Sequence, residues 1–97
     1  MAFVQIIEMQ TTRWDEIEQL HEAWLSETEG IRTSASERVL RDRDRPNTFV
    51  IVVEFASYDE AMSNNELPAT KHFAEAVGKL LDGPPTYRNC DLVRTDS

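Results

Sequence analysis

Two imidazoles, His21 and His72, are the side chains of this sequence that titrate nearest neutrality, so a general base working near pH 7 is sought there first. His21 falls beside Ile17 and Trp24 on the apolar stripe of a helical segment. It reads either as a partly buried structural imidazole or as a base at the rim of a pocket. His72 precedes Phe73 and shares a face with Glu75 and Lys79, which makes it a boundary residue, on the surface or at a pocket mouth. Asn64 and Asn65 most simply end a short helix, because Asn tolerates the left-handed conformation and bonds nearby backbone. Lining a cleft, the same amide would hold a phenol or carbonyl oxygen. Arg38 suits a cross-strand ion pair or the orientation of an anionic ligand, and Tyr58 suits amphipathic packing. Cys90 stands alone, with no internal disulfide and no adjacent His to activate it, and reads as a small core residue.

Other chemistries find no support. Two His and one Cys make no spaced zinc motif, so metal dependence is not expected. There is no Gly-rich phosphate loop, nucleophile elbow or paired-carboxylate signature, which leaves kinases, dinucleotide enzymes, hydrolases and glycosidases aside. The 97 residues carry 10 Lys+Arg against 18 Asp+Glu, a net charge of −8 that repels phosphate backbones and disfavours nucleic acid as a partner. The one basic cluster, Arg38, Arg41, Arg43 and Arg45, is interleaved with Asp42 and Asp44 and reads as a solvated hairpin end. The longest apolar run, Phe49 to Val53, is far short of the ~20 residues a membrane-spanning helix needs. No export leader is read at Met1 to Gln5, and a cytoplasmic location with no membrane partner is the expectation.

The elements that must position these residues follow from periodicity. Phe3 to Met9 alternates as a strand, with Phe3, Gln5, Ile7 and Met9 on one side. Thr12 and Asp15 form an imperfect capping box before a helix of about Arg13 to Glu29, whose stripe is Trp14, Ile17, Leu20, Trp24 and Leu25 and which Gly30 is placed to end. Thr33 to Arg43 is polar but strand-compatible, Arg43 to Asn47 has turn chemistry, and Thr48 to Ala56 is strongly β-prone. In that second arm Phe49, Ile51, Val53 and Phe55 oppose Val50 and Val52, so both faces call for cover. Ser57 with Glu60 caps a short helix ending near Asn64 and Asn65, and Pro68 opens another whose stripe is Phe73, Ala76, Val77, Leu80 and Leu81. Gly83, Pro84 and Pro85 end it, and Thr86 to Arg94 is the last strand.

The order β, α, β, β, α, β with a broken second helix predicts one domain over residues 1–97, a ferredoxin-like α+β sandwich. Two helices cover one face of a four-stranded sheet. The other carries Phe3, Ile7, Phe49, Ile51 and Val53 or, on the opposite parity, Val4, Ile6, Val50 and Val52, a patch larger than monomers usually expose. A homodimer packed sheet to sheet is the expected cover.

The stretch Val52-Val53-Glu54-Phe55, Ser57-Tyr58-Asp59-Glu60-Ala61-Met62, Asn64-Asn65-Glu66-Leu67-Pro68-Ala69-Thr70, Phe73 and Leu81-Asp82-Gly83-Pro84-Pro85 resembles the dimeric α/β-barrel superfamily, in particular small proteins related to antibiotic-biosynthesis monooxygenases. Haem-degrading members have an Asn on the first strand, a Trp on the short helix and a His about ten residues later. Here those places hold Gln5, Met62 and His72, one match of three, which argues against haem degradation. Members that oxidise polycyclic quinols without metal or flavin use pocket Asn, Trp, Tyr and Arg. This chain offers Asn64, Tyr58 and Arg38, with both Trp residues, Trp14 and Trp24, on the first helix.

The resemblance implies a cofactor-independent monooxygenase acting on an aromatic or quinol-like compound, with no bound cofactor. Under it His72 or His21 removes a phenolic proton, Asn64 or Arg38 stabilises the anion, and Trp24, Tyr58 and Gln5 contact the substrate. The competing expectation is a non-catalytic homodimer of the same fold that binds a ligand or serves in assembly, with both His residues structural.

Overall fold

The computed structural model describes residues 1–97. Its elements are β1 (Phe3–Gln10), α1 (Trp14–Glu27), β2 (Ser34–Arg41), β3 (Thr48–Phe55), α2 (Tyr58–Glu66), α3 (Pro68–Gly78) and β4 (Thr86–Asp91). The strands form one antiparallel sheet in the order β2-β3-β1-β4, with the helices on one face, so the ferredoxin-like α+β sandwich is the observed fold. The two strands with the strongest apolar alternation, β1 and β3, hold the centre. Antiparallel register sets Phe3 opposite Phe55, Gln5 opposite Val53, Ile7 opposite Ile51 and Met9 opposite Phe49. Because side chains alternate along a strand, this parity faces the helices and builds the core of Phe3, Ile51, Val53, Phe55 and Ala61.

The opposite parity is left open. Val4, Ile6, Val50 and Val52 are only half-buried, and Leu40 on β2 is 49% exposed. Cys90 pairs with Val4 on this outer face, so it belongs to the uncovered side rather than the core. Arg45 reaches Glu8 at 3.7 Å across its edge.

Local chemistry accounts for the junctions. The Thr12 capping box does not form: α1 has no side-chain cap, and Thr11 acts in its place. Thr11 Oγ1 accepts from Arg13 N at 2.9 Å and donates to the Leu80 carbonyl at 2.7 Å, tying the start of α1 to the end of α3. Gly30 has φ +82°, the left-handed geometry that ends a helix without a Cβ penalty. Ser57 caps α2 by accepting from Glu60 N at 3.2 Å, and Pro68 occupies the first turn of α3. In the β2–β3 turn, Asp42 Oδ1 accepts from the backbone of Asp44 and Arg45, and Asn47 takes φ 59°. The last strand stops at Asp91 rather than Arg94, because Asp91 already pairs with Phe3 and only Leu92 N, bonded to Ala2 O at 2.8 Å, finds a further partner. No helix is long and apolar enough to cross a membrane.

Candidate functional site

The helices cover the inner face of the sheet incompletely, and the gap is a cleft of about 510 Å³ between sheet, α1, α2 and α3. Its floor is the inward parity of the strands: Gln5, Ile7 and Met9 of β1, Val53 and Phe55 of β3, Glu37 of β2 and Tyr87 of β4. One wall is the α3 stripe Thr70, Phe73, Ala74 and Val77, whose i, i+3, i+4, i+7 spacing puts all four on one face. Trp24 of α1 and Asn64 and Asn65 of α2 complete the sides, with Leu81, Pro84 and Pro85 at one end.

Trp24, 6% exposed, is fixed from three directions. Its Nε1 donates to Thr70 Oγ1 at 2.9 Å, the Phe73 ring lies 5.8 Å away, and the Arg32 guanidinium sits 5.3 Å from its centroid. Arg32 is otherwise committed to the Leu25 carbonyl and Thr28 Oγ1. Asn64 is 5% exposed; its Oδ1 accepts from Thr33 N at 3.4 Å, while Thr33 Oγ1 donates to the Glu60 carbonyl at 2.6 Å. Those bonds pin α2 to the segment leading into β2, so Asn64 forms a rigid side of the cleft.

The floor is apolar except for one cross-strand row. Register aligns Asn89, Gln5, Val53 and Glu37 across β4, β1, β3 and β2, and Gln5 Nε2 donates to Asn89 Oδ1 at 3.2 Å. Glu37 ends the row as an ion pair with His21 Nε2, which approaches the carboxylate closely but off the line of an aligned hydrogen bond. His21 stacks on Trp24 with centroids 5.8 Å apart and tilts against Phe73 at 6.0 Å. The Glu37 carboxylate raises the imidazole pKa above its ordinary value, burial opposes the rise, and the charge of Glu22 adds to it.

Of the seven residues singled out from sequence, Gln5, Trp24 and Asn64 line the cleft. His21 stands behind the lining and meets the cleft through Glu37 and Trp24. The other three lie elsewhere. His72 is exposed, because it falls off the Thr70–Phe73–Val77 stripe that α3 turns inward. Arg38 pairs with Val52 and so occupies the outer face, where it cannot hold an anion in the cleft. Tyr58 is 56% exposed and packs edge-on against Phe3 at 5.4 Å instead of lining the cavity. Glu37 was not among the seven. Its strand is polar on both faces, and a bulge between Ser34 and Ser36 shifts the parity, so alternation gives no inward side.

No family model and no curated protein matches the sequence. Solved structures do match. The chain superposes with a TM-score of 0.84 on a candidate antibiotic biosynthesis monooxygenase from Caulobacter crescentus, at 14% identity over 96% of this chain and 91% of that one. SnoaB, a cofactor-independent oxygenase from Streptomyces nogalater, gives 0.81 at 15% identity, with 97% and 95% covered. A Mycobacterium tuberculosis protein gives 0.81 at 15% identity with both chains fully covered, 100% and 100%. The chain therefore shares the fold of these structures, a ferredoxin-like α+β sandwich. At these identities the likeness is one of fold, and the chemistry has to be argued from the cleft.

Proposed function

We propose that this protein is a cytoplasmic homodimer that binds a small aromatic compound in each cleft and oxidises a quinol-like member of that class with dioxygen, without a bound cofactor. The observation that carries the reading is the cleft itself: about 510 Å³, with aromatic and aliphatic walls interrupted by Thr70, Asn64 and Asn65 and a floor crossed by one polar row. That is the composition of a site that buries an aromatic body and orients one polar substituent. The reading also agrees with the chemistry of SnoaB, a cofactor-independent oxygenase whose fold this chain shares.

In the proposed reaction a phenolic substrate bearing a ring CH₂ loses one proton toward the Glu37–His21 pair, and the Asn64 amide at the cleft side stabilises the oxyanion. The resulting carbanion passes one electron to dioxygen, the radical pair joins in a C–O bond, and the peroxide takes the proton back. Loss of water then leaves a ring carbonyl. The CH₂ is oxidised to C=O, and dioxygen is reduced, one atom entering the product and one leaving as water.

The homodimer is supported by the apolar outer face of Val4, Ile6, Leu40, Val50 and Val52, which the single chain leaves open. Oxygen consumption with anthrone-type polycycles, which carry the ring CH₂ the reaction needs, tests the activity. Uptake should fall about 10²-fold or more in His21→Ala, the usual range for removing a general base. Turnover unchanged in both His21→Ala and Asn64→Ala would defeat this mechanism. Binding of the same compounds without any oxygen uptake would identify a non-catalytic ligand-binding dimer instead.

A further inference from the structure

We infer that Glu37 selects the ligand by charge, so that the cleft accepts neutral hydroxyl-bearing aromatic compounds and excludes their carboxylate counterparts. This rests on the aromatic cleft proposed above and adds a class of ligand that it refuses. Glu37 is the one charged side chain among the residues that line the cavity. No Lys, Arg or His joins it. Arg32, the cation nearest the Trp24 side of the cleft, is committed to the Trp24 ring and to the Leu25 and Thr28 oxygens. Arg38, the strand cation next to Glu37 in sequence, has the opposite parity and faces away.

A carboxylate at the end of an apolar floor accepts a hydrogen bond from an O–H, and it meets another carboxylate with like-charge repulsion that solvent screens only in part. His21 contacts Glu37 from outside the lining, so a ligand encounters the carboxylate before the imidazole. Glu37 is therefore the specificity-determining residue for binding, and His21 holds its carboxylate from behind.

Calorimetric binding of 2-naphthol and 2-naphthoate to the full chain at pH 7 tests the inference, since the two share a ring system and differ in the charge they bring to the row. Naphthol should bind at least tenfold more tightly to the wild type. Glu37→Gln should bring the two affinities within about threefold of each other, chiefly by admitting naphthoate. Glu37→Asp keeps the charge and should keep naphthoate out, which provides a second reading should the Gln variant fold poorly. A preference for naphthol that is the same in wild type and Glu37→Gln would overturn the charge selection while leaving an aromatic cleft standing. Equal affinities in the wild type would do likewise. Failure of either compound to bind would overturn both the selection and the proposed cleft.

Discussion

At the scale of single residues, the His21–Glu37 pair couples stability to pH with a definite sign. The folded-state imidazole pKa is raised from 6.5 by Glu37, so the pair's stabilisation is fully present below pH 6.5. It fades as pH rises through the raised native value. Thermal melts of wild type and His21→Asn should differ at pH 6 and converge at alkaline pH, with a gap of about 1 kcal/mol because the pair is only partly shielded from solvent. A gap that widened with pH would mean the imidazole is held neutral. If His21 also accepts the substrate proton, oxygen uptake should rise with pH through that same raised value. The two profiles would then mirror each other.

Two buried hydroxyls make a second residue-scale case. Thr11 and Thr28 are 1% and 0% exposed, and each both donates and accepts: Thr11 between Leu80 and Arg13, Thr28 between Trp24 and Arg32. Thr11→Val keeps the shape and orphans Arg13 N and the Leu80 carbonyl, which costs about 1–3 kcal/mol for buried polar groups, whereas Thr28→Val costs less because the Trp24 carbonyl keeps Thr28 N at 3.0 Å and Arg32 keeps the Leu25 carbonyl. Urea denaturation should register the larger loss for Thr11→Val and the smaller for Thr28→Val. A Thr11→Val change below ~0.5 kcal/mol would indicate that relaxation or water re-satisfies the partners.

Between elements, the contact that fixes the cleft wall is α1 against α3 through Trp24, Thr70 and Phe73. Trp24→Phe removes the hydrogen bond to Thr70 and should cost about 1 kcal/mol, whereas Trp24→Ala removes the packed ring as well and should cost about 3–5 kcal/mol. Equal losses would place the energy in the hydrogen bond alone. These elements were legible in sequence where one physical rule dominated. Alternation in Phe3–Met9 and Phe49–Phe55 set the central strands, helical spacing set the α3 stripe, and Pro68 and Gly30 set boundaries. Of the candidate site, Trp24 was legible as part of an apolar stripe and Gln5 through the family resemblance, since alternation left open which parity of β1 faces the helices. Glu37 and Arg38 were not, because on a polar edge strand the inward parity is set by pairing to β3 and by the Ser34/Ser36 bulge. His72 misled for a related reason: one step along a helix is a rotation of about 100°. That step separates it from the inward-facing Phe73.

For the molecule as a whole, the open outer face is the feature to test. Light scattering at micromolar concentration should give about twice the chain mass of 11.2 kDa. Val52→Lys puts a charge at the centre of that face, on a side chain already half exposed, and should yield a folded monomer rather than an unfolded chain. A wild-type monomer stable to dilution would leave the patch without a partner.

The strand order also governs how the chain comes to be folded. β1 is made first, yet its two neighbours are β3 and β4, with Phe3 paired to Phe55 on one side and to Asp91 on the other. A nascent chain emerging from the ribosome therefore carries its first strand unpaired until β3 follows, and cannot finish the sheet before β4 is out. Loop closure over such separations comes before any contact rewards it, so refolding in the millisecond-to-second range of non-local β topologies is expected rather than microsecond helix-bundle rates. Throughout that interval the apolar alternation that later builds the cleft floor is exposed to whatever the cell offers it.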